Sequence, residues 1–327
     1  MFADKILNLS AIAVICLLVL TAGCGPSGQQ TADLRLKFTP QDSTVYKVTT
    51  LDEDSIEHKG TLAQSDDFKD SKNSEKVEMT FAQQIQSTDD KGNAVAKITI
   101  KELKYSAIYV GNPILDFDSS SVEDQNKPMA KLIGQSYTIK LDPTGKVTEV
   151  IDAEQARAAA RGGQKANKAA LKLVTPDAIK ARHTVPALPT DDKAKLLAGQ
   201  NYSNIKTFDF RMLGANSYEK IYTLEEIKDA DAKQIAVIKM NAIPTSQTAE
   251  EVHKKQQTGP FAKMFDNTQT YTGQLKLDLT AGKIENYCEK LSSQWIAIDP
   301  AAEPQDDKEP DSVQMTAVRS YSLEKID

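Results

Sequence analysis

The sequence predicts a β-rich α+β fold: a long, curved, mostly antiparallel sheet, in one reading two related halves, with a helical insertion at about residues 152–200. Three observations predict it. Apolar and polar residues alternate over most of the chain, as in Val77, Met79 and Phe81, the period of a half-buried strand. Gly-containing turns separate these runs. Between residues 152 and 200, Ala, Lys and Arg dominate and β-branched residues thin out, which favours helix.

Taken in order, residues 34–38 alternate through Leu34, Leu36 and Phe38 and are expected as a strand, followed by a second at 45–51. Residues 52–74 are acidic and mixed, and are expected as a long loop or an exposed edge hairpin. The clearest local pattern is next. Residues 76–87 run through Val77, Met79 and Phe81, Asp89-Asp90-Lys91-Gly92 turns the chain, and residues 94–109 return through Ala96, Ile98 and Ile100. Alternation slips near Glu102-Leu103, which predicts a bulge that bends the sheet.

Residues 111–127 read as loop and 128–133 as one helical turn. A hairpin spans 137–151, with Asp142-Pro143-Thr144-Gly145 suited to a type I turn. Two or three helices are expected in 152–200, with Asp152, Thr175 and Thr190 as N-caps and a break at Gly162-Gly163. Strands resume at 207–212, 219–227 and 233–243, a short helix is expected at 249–256, and long strands at 268–279 and 283–298 meet at Thr280-Ala281-Gly282. Residues 313–326 close the chain as a strand.

Residues 137–150 and 271–287 echo each other, sharing a Tyr-Thr opening, a Lys-Leu-Asp core and a Thr and Gly turn. Two readings stand side by side: a structural repeat, or two amphipathic hairpins with similar turns. The resulting division is a leader at 1–23, a tether at 24–33, a β-rich half at 34–151, a helical segment at 152–204 and a second β-rich half at 205–327.

Lys5 followed by the apolar run 11–20 has the form of a secretory leader, and the run is shorter than the ~20 residues that span a bilayer. Leu20-Thr21-Ala22-Gly23-Cys24 resembles a lipobox, the signal at which bacterial lipoproteins are lipidated and cleaved. The resemblance implies cleavage between Gly23 and Cys24, acylation of Cys24 with diacylglyceryl and a fatty acid such as palmitate, and anchoring in the cell envelope. Gly25, where inner-membrane retention often uses Asp, favours the outer membrane in a cell that has one. With Cys16 in the leader and Cys24 acylated, Cys288 is alone in the mature chain and is expected as a small buried apolar residue.

The net charge of −6 and the lack of a clustered basic face argue against nucleic acid as a partner. His58, His183 and His253 are scattered and Cys288 has no partner cysteine, so the sequence displays no metal-ligand spacing and calls for no cofactor. No nucleophile elbow or phosphate-cradling loop is present, and no catalytic residue is assigned. Arg157, Arg161, Lys165, Lys168 and Lys172 recur at helical spacing and read as a solvated face or a lipid-headgroup stripe.

Together with the hairpins, Val45-Tyr46-Lys47-Val48, Ser136-Tyr137-Thr138-Ile139 and Tyr271, Gly273, Asp278 and Gly282 resemble an uncharacterised family of bacterial lipoproteins, a domain of unknown function. The resemblance implies a β-rich envelope domain and supplies no activity. The sequence thus points first to a lipid-anchored, non-enzymatic binding or structural module whose protein partner or ligand it does not name. The alternatives are a carrier of a hydrophobic ligand in a half-barrel cavity lined by Phe81, Ile98, Ile100, Tyr105, Leu275, Leu277 and Trp295, and an envelope hydrolase using dispersed Asp, Glu and His.

Overall fold

The structure, a computed structural model, describes residues 31–64, 69–230, 232–246, 266–298 and 310–326. The leader, Gly23, Cys24, most of the tether, His253 and the helix expected at 249–256 lie outside the described residues. In chain order the elements are β1 (Thr31–Asp33), β2 (Ser43–Lys59), β3 (Ser71–Thr88), β4 (Ala94–Tyr109), β5 (Asn112–Asp118), β6 (Ser136–Leu141) and β7 (Val147–Asp152). Then come α1 (Glu154–Ala160), α2 (Lys165–Leu173), α3 (Pro176–His183), β8 (Lys195–Leu197), β9 (Asn201–Asp209), β10 (Ala215–Ala230), β11 (Lys233–Thr245), β12 (Asp266–Asp278), β13 (Lys283–Ile298) and β14 (Ser312–Lys325). Gly162-Gly163 separates α1 from α2, and the Thr175 hydroxyl caps α3 by accepting from the Ala178 amide.

Twelve antiparallel strands form one sheet in the order β7-β6-β4-β3-β2-β14-β13-β12-β11-β10-β9, with β5 on the tail of β4, while β1 pairs β8 separately. Each half is a meander, and β2 of the first pairs β14 of the second. The single long crossover therefore runs from β7 at one edge to β9 at the other, and the helices lie in it. The expected bulge is present: Thr80 faces Glu102 but Phe81 faces Ile100, leaving Lys101 as the extra residue.

Laid flat, eleven strands at about 4.8 Å spacing would put the edges roughly 48 Å apart. Residues 184–187 nevertheless touch both ends. Val185 donates its amide to the Gly145 carbonyl (2.9 Å) and Thr184 Oγ1 accepts from the Val147 amide (3.1 Å) beside the β7 edge. At the other edge Tyr202 Oη donates to the Ala187 carbonyl and Asn204 Nδ2 to that of Pro186 (2.6 Å). The sheet must curl around the crossover, so the alternating residues of all strands converge on one inner face.

Residues 34–38 are not the expected strand. They form a strap whose amides go to three separate segments: Leu34 to Ala194 (2.9 Å), Leu36 to Pro143 (2.8 Å) and Lys37 to Gly282 (3.0 Å). Leu36 and Phe38 still pack on the core, so the alternation is real while the ladder is absent. The strap ties together the turns of both echo hairpins. In each, the Asp after Leu holds the turn: Asp142 Oδ1 accepts from the Thr144 amide and Asp278 Oδ1 from the Thr280 amide, both at 2.9 Å. The hairpins themselves occupy different stations, β6–β7 at an edge and β12–β13 inside the sheet, so the shared residues serve turn chemistry.

Gly282 has φ +63°, and a Cβ there would lie 2.5 Å from the Lys37 backbone nitrogen. Gly92 has a similar φ of +79°, but its Cβ would meet only a Pro143 side-chain atom at 3.4 Å. Gly282→Ala is expected to cost about 2–3 kcal/mol, against about 1 kcal/mol for Gly92→Ala, by urea midpoint. Equal costs would show that the strap does not bear on the turn.

Three further expectations change. Within the acidic stretch 52–74, β2 runs through Lys59 and β3 resumes at Ser71, so the hairpin is present but lies mid-sheet rather than at an edge, because Asp52 and Asp54 meet Arg319 on β14, far away in sequence. Residues 112–118, read as loop, pair with β4 as β5. The helical segment ends at His183, and β9 starts at Asn201 rather than 207, since the intervening chain binds sheet edges through its carbonyls.

Candidate ligand-binding cleft

The inner face divides along the strands. Toward the strap end it is apolar and close-packed: Phe81, Ile98, Ile100, Ile139, Leu275 and Leu277 are all buried. Toward the other end the same register positions carry charges and tyrosines. Asp52 opposes Arg319 and Glu75, Glu289 opposes Tyr321, and Lys220 lies between Tyr218 and Tyr222 on β10.

Lys220 and Glu289 form a buried ion pair at 2.9 Å, with side-chain exposures of 1% and 12%. Tyr287 Oη donates to the same carboxylate at 2.6 Å, and the ammonium sits 5.5 Å and 5.9 Å from the ring centres of Tyr222 and Tyr271. Burial pushes the Glu289 carboxyl up, but the Lys220 charge and the Tyr287 hydrogen bond outweigh it and hold it below its ordinary value. Burial likewise opposes the charge on Lys220, and Glu289 overcomes it and raises its pKa.

Arg319 reaches Asp54 at 2.7 Å and Asp52 at 3.2 Å and lies over the Phe210 ring. Burial lifts the Asp52 carboxyl above its ordinary value despite that cation. Across from this face stand α2 and α3. Lys172 pairs with Glu75 at 2.7 Å, and the Tyr105 hydroxyl, buried beside Glu75, is pushed up to about 12.

Between α2–α3 and the inner face lies a cleft of about 700 Å³. Val48, Val77, Tyr105, Leu173, Ala178 and Phe208 supply much of its apolar wall. Its rim includes Tyr109 and Ile114, which are 63% and 50% exposed. At its floor is Arg182, only 7% exposed. Arg182 Nη2 donates to the Leu173 carbonyl at 2.8 Å and its backbone carbonyl accepts from Tyr321 Oη at 2.9 Å. Arg182 Nη1, buried in a cleft residue, makes no close hydrogen bond among the described residues, and the buried Tyr271 hydroxyl has only the Glu289 carboxylate as a looser neighbour.

Of the cavity residues expected from the sequence, Tyr105 lines this cleft. Phe81 borders a second space of about 40 Å³ at the strap end. Ile98, Ile100, Leu275, Leu277 and Trp295 do not line the cleft; they are buried core, the first four because facing strands and the crossover fill the strap-end half of the curl, and Trp295, toward the other end, because Phe210 packs edge-on against it at 4.9 Å. Missing from the sequence reading were Arg182, Lys220, Tyr271, Glu289 and Arg319. A signal existed for two of them: Lys220 and Glu289 sit at apolar phases of alternating runs, Tyr218-x-Lys220-x-Tyr222 and Tyr287-x-Glu289-x-Leu291.

Cys288 was expected buried, but it has the opposite phase to Tyr287 and Glu289 and is exposed on the outer face. The basic series does not form one stripe: it is split between α1 and α2, and Arg157 and Lys172 are engaged by Glu154 and Glu75. None of the described histidines lines the cleft. His58 bonds Asp70 through its amide at 2.8 Å.

His183 is buried at the strap end, its Nε2 2.7 Å from Tyr137 Oη and its ring edge-on to Phe81 at 4.6 Å. Burial, with a smaller contribution from the Arg182 charge, holds His183 well below its ordinary value of 6.5. Below that pH the unfolded chain binds a proton that the folded one refuses. Stability is therefore expected to fall as pH drops below 6.5, with a slope approaching about 1.4 kcal/mol per pH unit from this group. Urea titrations of wild type and His183→Gln check it: the variant should be flatter through this window, and parallel curves would refute the assignment.

No protein-family model matches the chain, and no curated protein matches it. Among solved structures it is similar to lipovitellin, determined in a study of lipid–protein interactions, with TM-score 0.43 and 11% identity over 89% of this chain and 26% of that one. The chain thus spans about a quarter of that lipovitellin chain. It is also similar to OpdL of Pseudomonas aeruginosa, with TM-score 0.19 and 8% identity over 87% of this chain and 99% of that one.

Proposed function

We propose that this chain is an exported, lipid-anchored, non-enzymatic binding protein that carries a hydrophobic molecule in the cleft between α2–α3 and the inner sheet face. The observation that carries the reading is the half-filled curl: packed and strapped at one end, open at the other as a cleft of about 700 Å³ with apolar walls. That volume lies in the range of roughly 300–1,000 Å³ typical of small-molecule sites. A sheet meant only as a scaffold gains by filling its interior, since close packing is the low-energy state of apolar faces.

The Cys24 lipid supplies the membrane partner, in the outer membrane of a cell that has one, and the chain belongs with the uncharacterised envelope lipoproteins it resembles. β1 leads directly into the strap at the closed end, and the rim with Tyr109 and Ile114 lies at the far ends of the strands.

Native mass spectrometry of the full chain purified without added lipid tests the carrier reading. A noncovalent mass that organic extraction removes, and that a fluorescent fatty acid then replaces, is the expected result. No such mass and no uptake of the probe would overturn it. Cys24→Ser should release the protein from the membrane fraction.

A further inference from the structure

We infer that the cleft takes its ligand head first, and that the head is a single anionic group, a carboxylate or a phosphate monoester, received at the floor by Arg182. The inference rests on the carrier reading and names the chemical class of its ligand.

The argument is one of charge. Four acids line the cleft, and each already faces a cation: Asp52 and Asp54 face Arg319, Glu75 faces Lys172, and Glu289 faces Lys220. Arg211 lies 3.9 Å from Asp54. Arg182 is different. Its side-chain neighbours among the described residues are neutral, the Leu173 carbonyl and the Tyr137 hydroxyl; no described acid pairs with it, and Nη1 makes no close hydrogen bond among the described residues although the residue is more than nine-tenths buried. The nearby hydroxyls do not supply a counter-charge: Tyr137, which bonds His183 Nε2 and also lies beside the guanidinium, is kept neutral by burial, and Tyr321 donates to the Arg182 backbone.

A buried guanidinium without a counter-ion is costly, and an anion accepting from Nη1 removes that cost. From this floor the apolar residues Val48, Val77, Tyr105 and Leu173 lead to the exposed Tyr109 and Ile114 at the rim. One buried positive charge with no acid beside it at the floor, then a wall of apolar side chains interspersed with acids that already have cations, then the exposed Tyr109 and Ile114 at the rim, suits an amphiphile inserted head first.

Isothermal titration of the full chain in nanodiscs, with empty nanodiscs subtracted, tests this with lauric acid, lauryl phosphate, lauryl alcohol and laurylamine. Lauric acid, lauryl phosphate or both should bind at least tenfold more tightly than the alcohol, and the amine more weakly still; which acid is tighter distinguishes carboxylate from phosphate. Arg182→Gln, which retains a donor for the Leu173 carbonyl, should erase the preference and leave alcohol binding within twofold. Arg182→Lys, which keeps the charge, should restore part of it, and circular dichroism of both variants establishes that they fold. Equal binding of acid and alcohol by wild type, or a preference that survives Arg182→Gln, would overturn the head-first anion while leaving the carrier intact. Failure of all four probes would remove the carrier reading itself.

Discussion

Replacing Lys220 by Met destabilises the fold by about 3–5 kcal/mol at neutral pH, the expected cost of leaving one member of a buried ion pair without the other. The Glu289 carboxylate would keep only neutral hydroxyls, that of Tyr287 at 2.6 Å and the nearby one of Tyr271, in a site with little access to water. The effect should depend on pH with a definite sign. In the wild type Glu289 is held below 4.5, so its contribution is present above that value and lost as pH falls through the folded pKa. Without Lys220, burial dominates and lifts the carboxyl above 4.5, so the folded variant takes up a proton before the unfolded one. The deficit of Lys220→Met should therefore shrink as pH drops from 7 toward that raised value. Urea midpoints at a series of pH values measure it. Joint replacement of Lys220 by Met and Glu289 by Leu should cost clearly less than the two single changes summed, and a single-variant loss under about 1 kcal/mol would refute the pairing.

Phe81→Ala is the second large effect, expected at about 3–5 kcal/mol. Phe81 is fully buried where the strap end closes, opposite Tyr46 on β2 and Ile100 on β4. Its ring meets Tyr46 at 5.9 Å and His183 of α3 at 4.6 Å, at 88° to the latter. Removing it unpins the crossover from the sheet and enlarges the space already present beside it, which the surrounding strands are too rigid to collapse. Phe81→Leu, which keeps most of the volume, should cost less than about 1.5 kcal/mol. If the alanine and leucine variants unfold at the same urea concentration, the ring is not the wedge described here.

Much of the fold is written locally. The hairpin of β3 and β4, its bulge at Lys101 and the helix break at Gly162-Gly163 all follow from neighbours in the chain, because period, turn residues and caps act within a few residues. The errors fall where the partner is distant. Asp52 and Asp54 read as loop or exposed edge because no cation nearby in the chain pairs with them; Arg319, more than 260 residues on, meets both across the β2–β14 ladder. Residues 34–38 alternate like a strand, yet their amides are spent on three separate segments. Cys288 reads as a buried apolar residue by its type, whereas its phase against Tyr287 places it outside.

The cleft was less legible than the fold. Among the seven expected cavity residues, Tyr105 alone lines it, because apolarity marks a residue as inward without saying whether the space before it is filled. The residues that distinguish the cleft are inward charges and tyrosines. Lys220 and Glu289 were visible as interruptions of an apolar phase; Arg182 was hidden in a basic helical segment that reads as solvated.

The sequence by itself determined which residues face inward, where most strands turn, and that helices interrupt the β-rich chain. These follow from two-residue and turn-scale chemistry, which needs no knowledge of the rest of the molecule. Only the tertiary structure decided that the sheet curls around its own crossover, that the strap end packs closed while a cleft opens toward the other, and that Arg182 is left there without a counter-charge among the described residues. The physical reason is that filling and pairing depend on what arrives from the opposite side of a curved face, and those residues are set by distant register rather than by any local pattern.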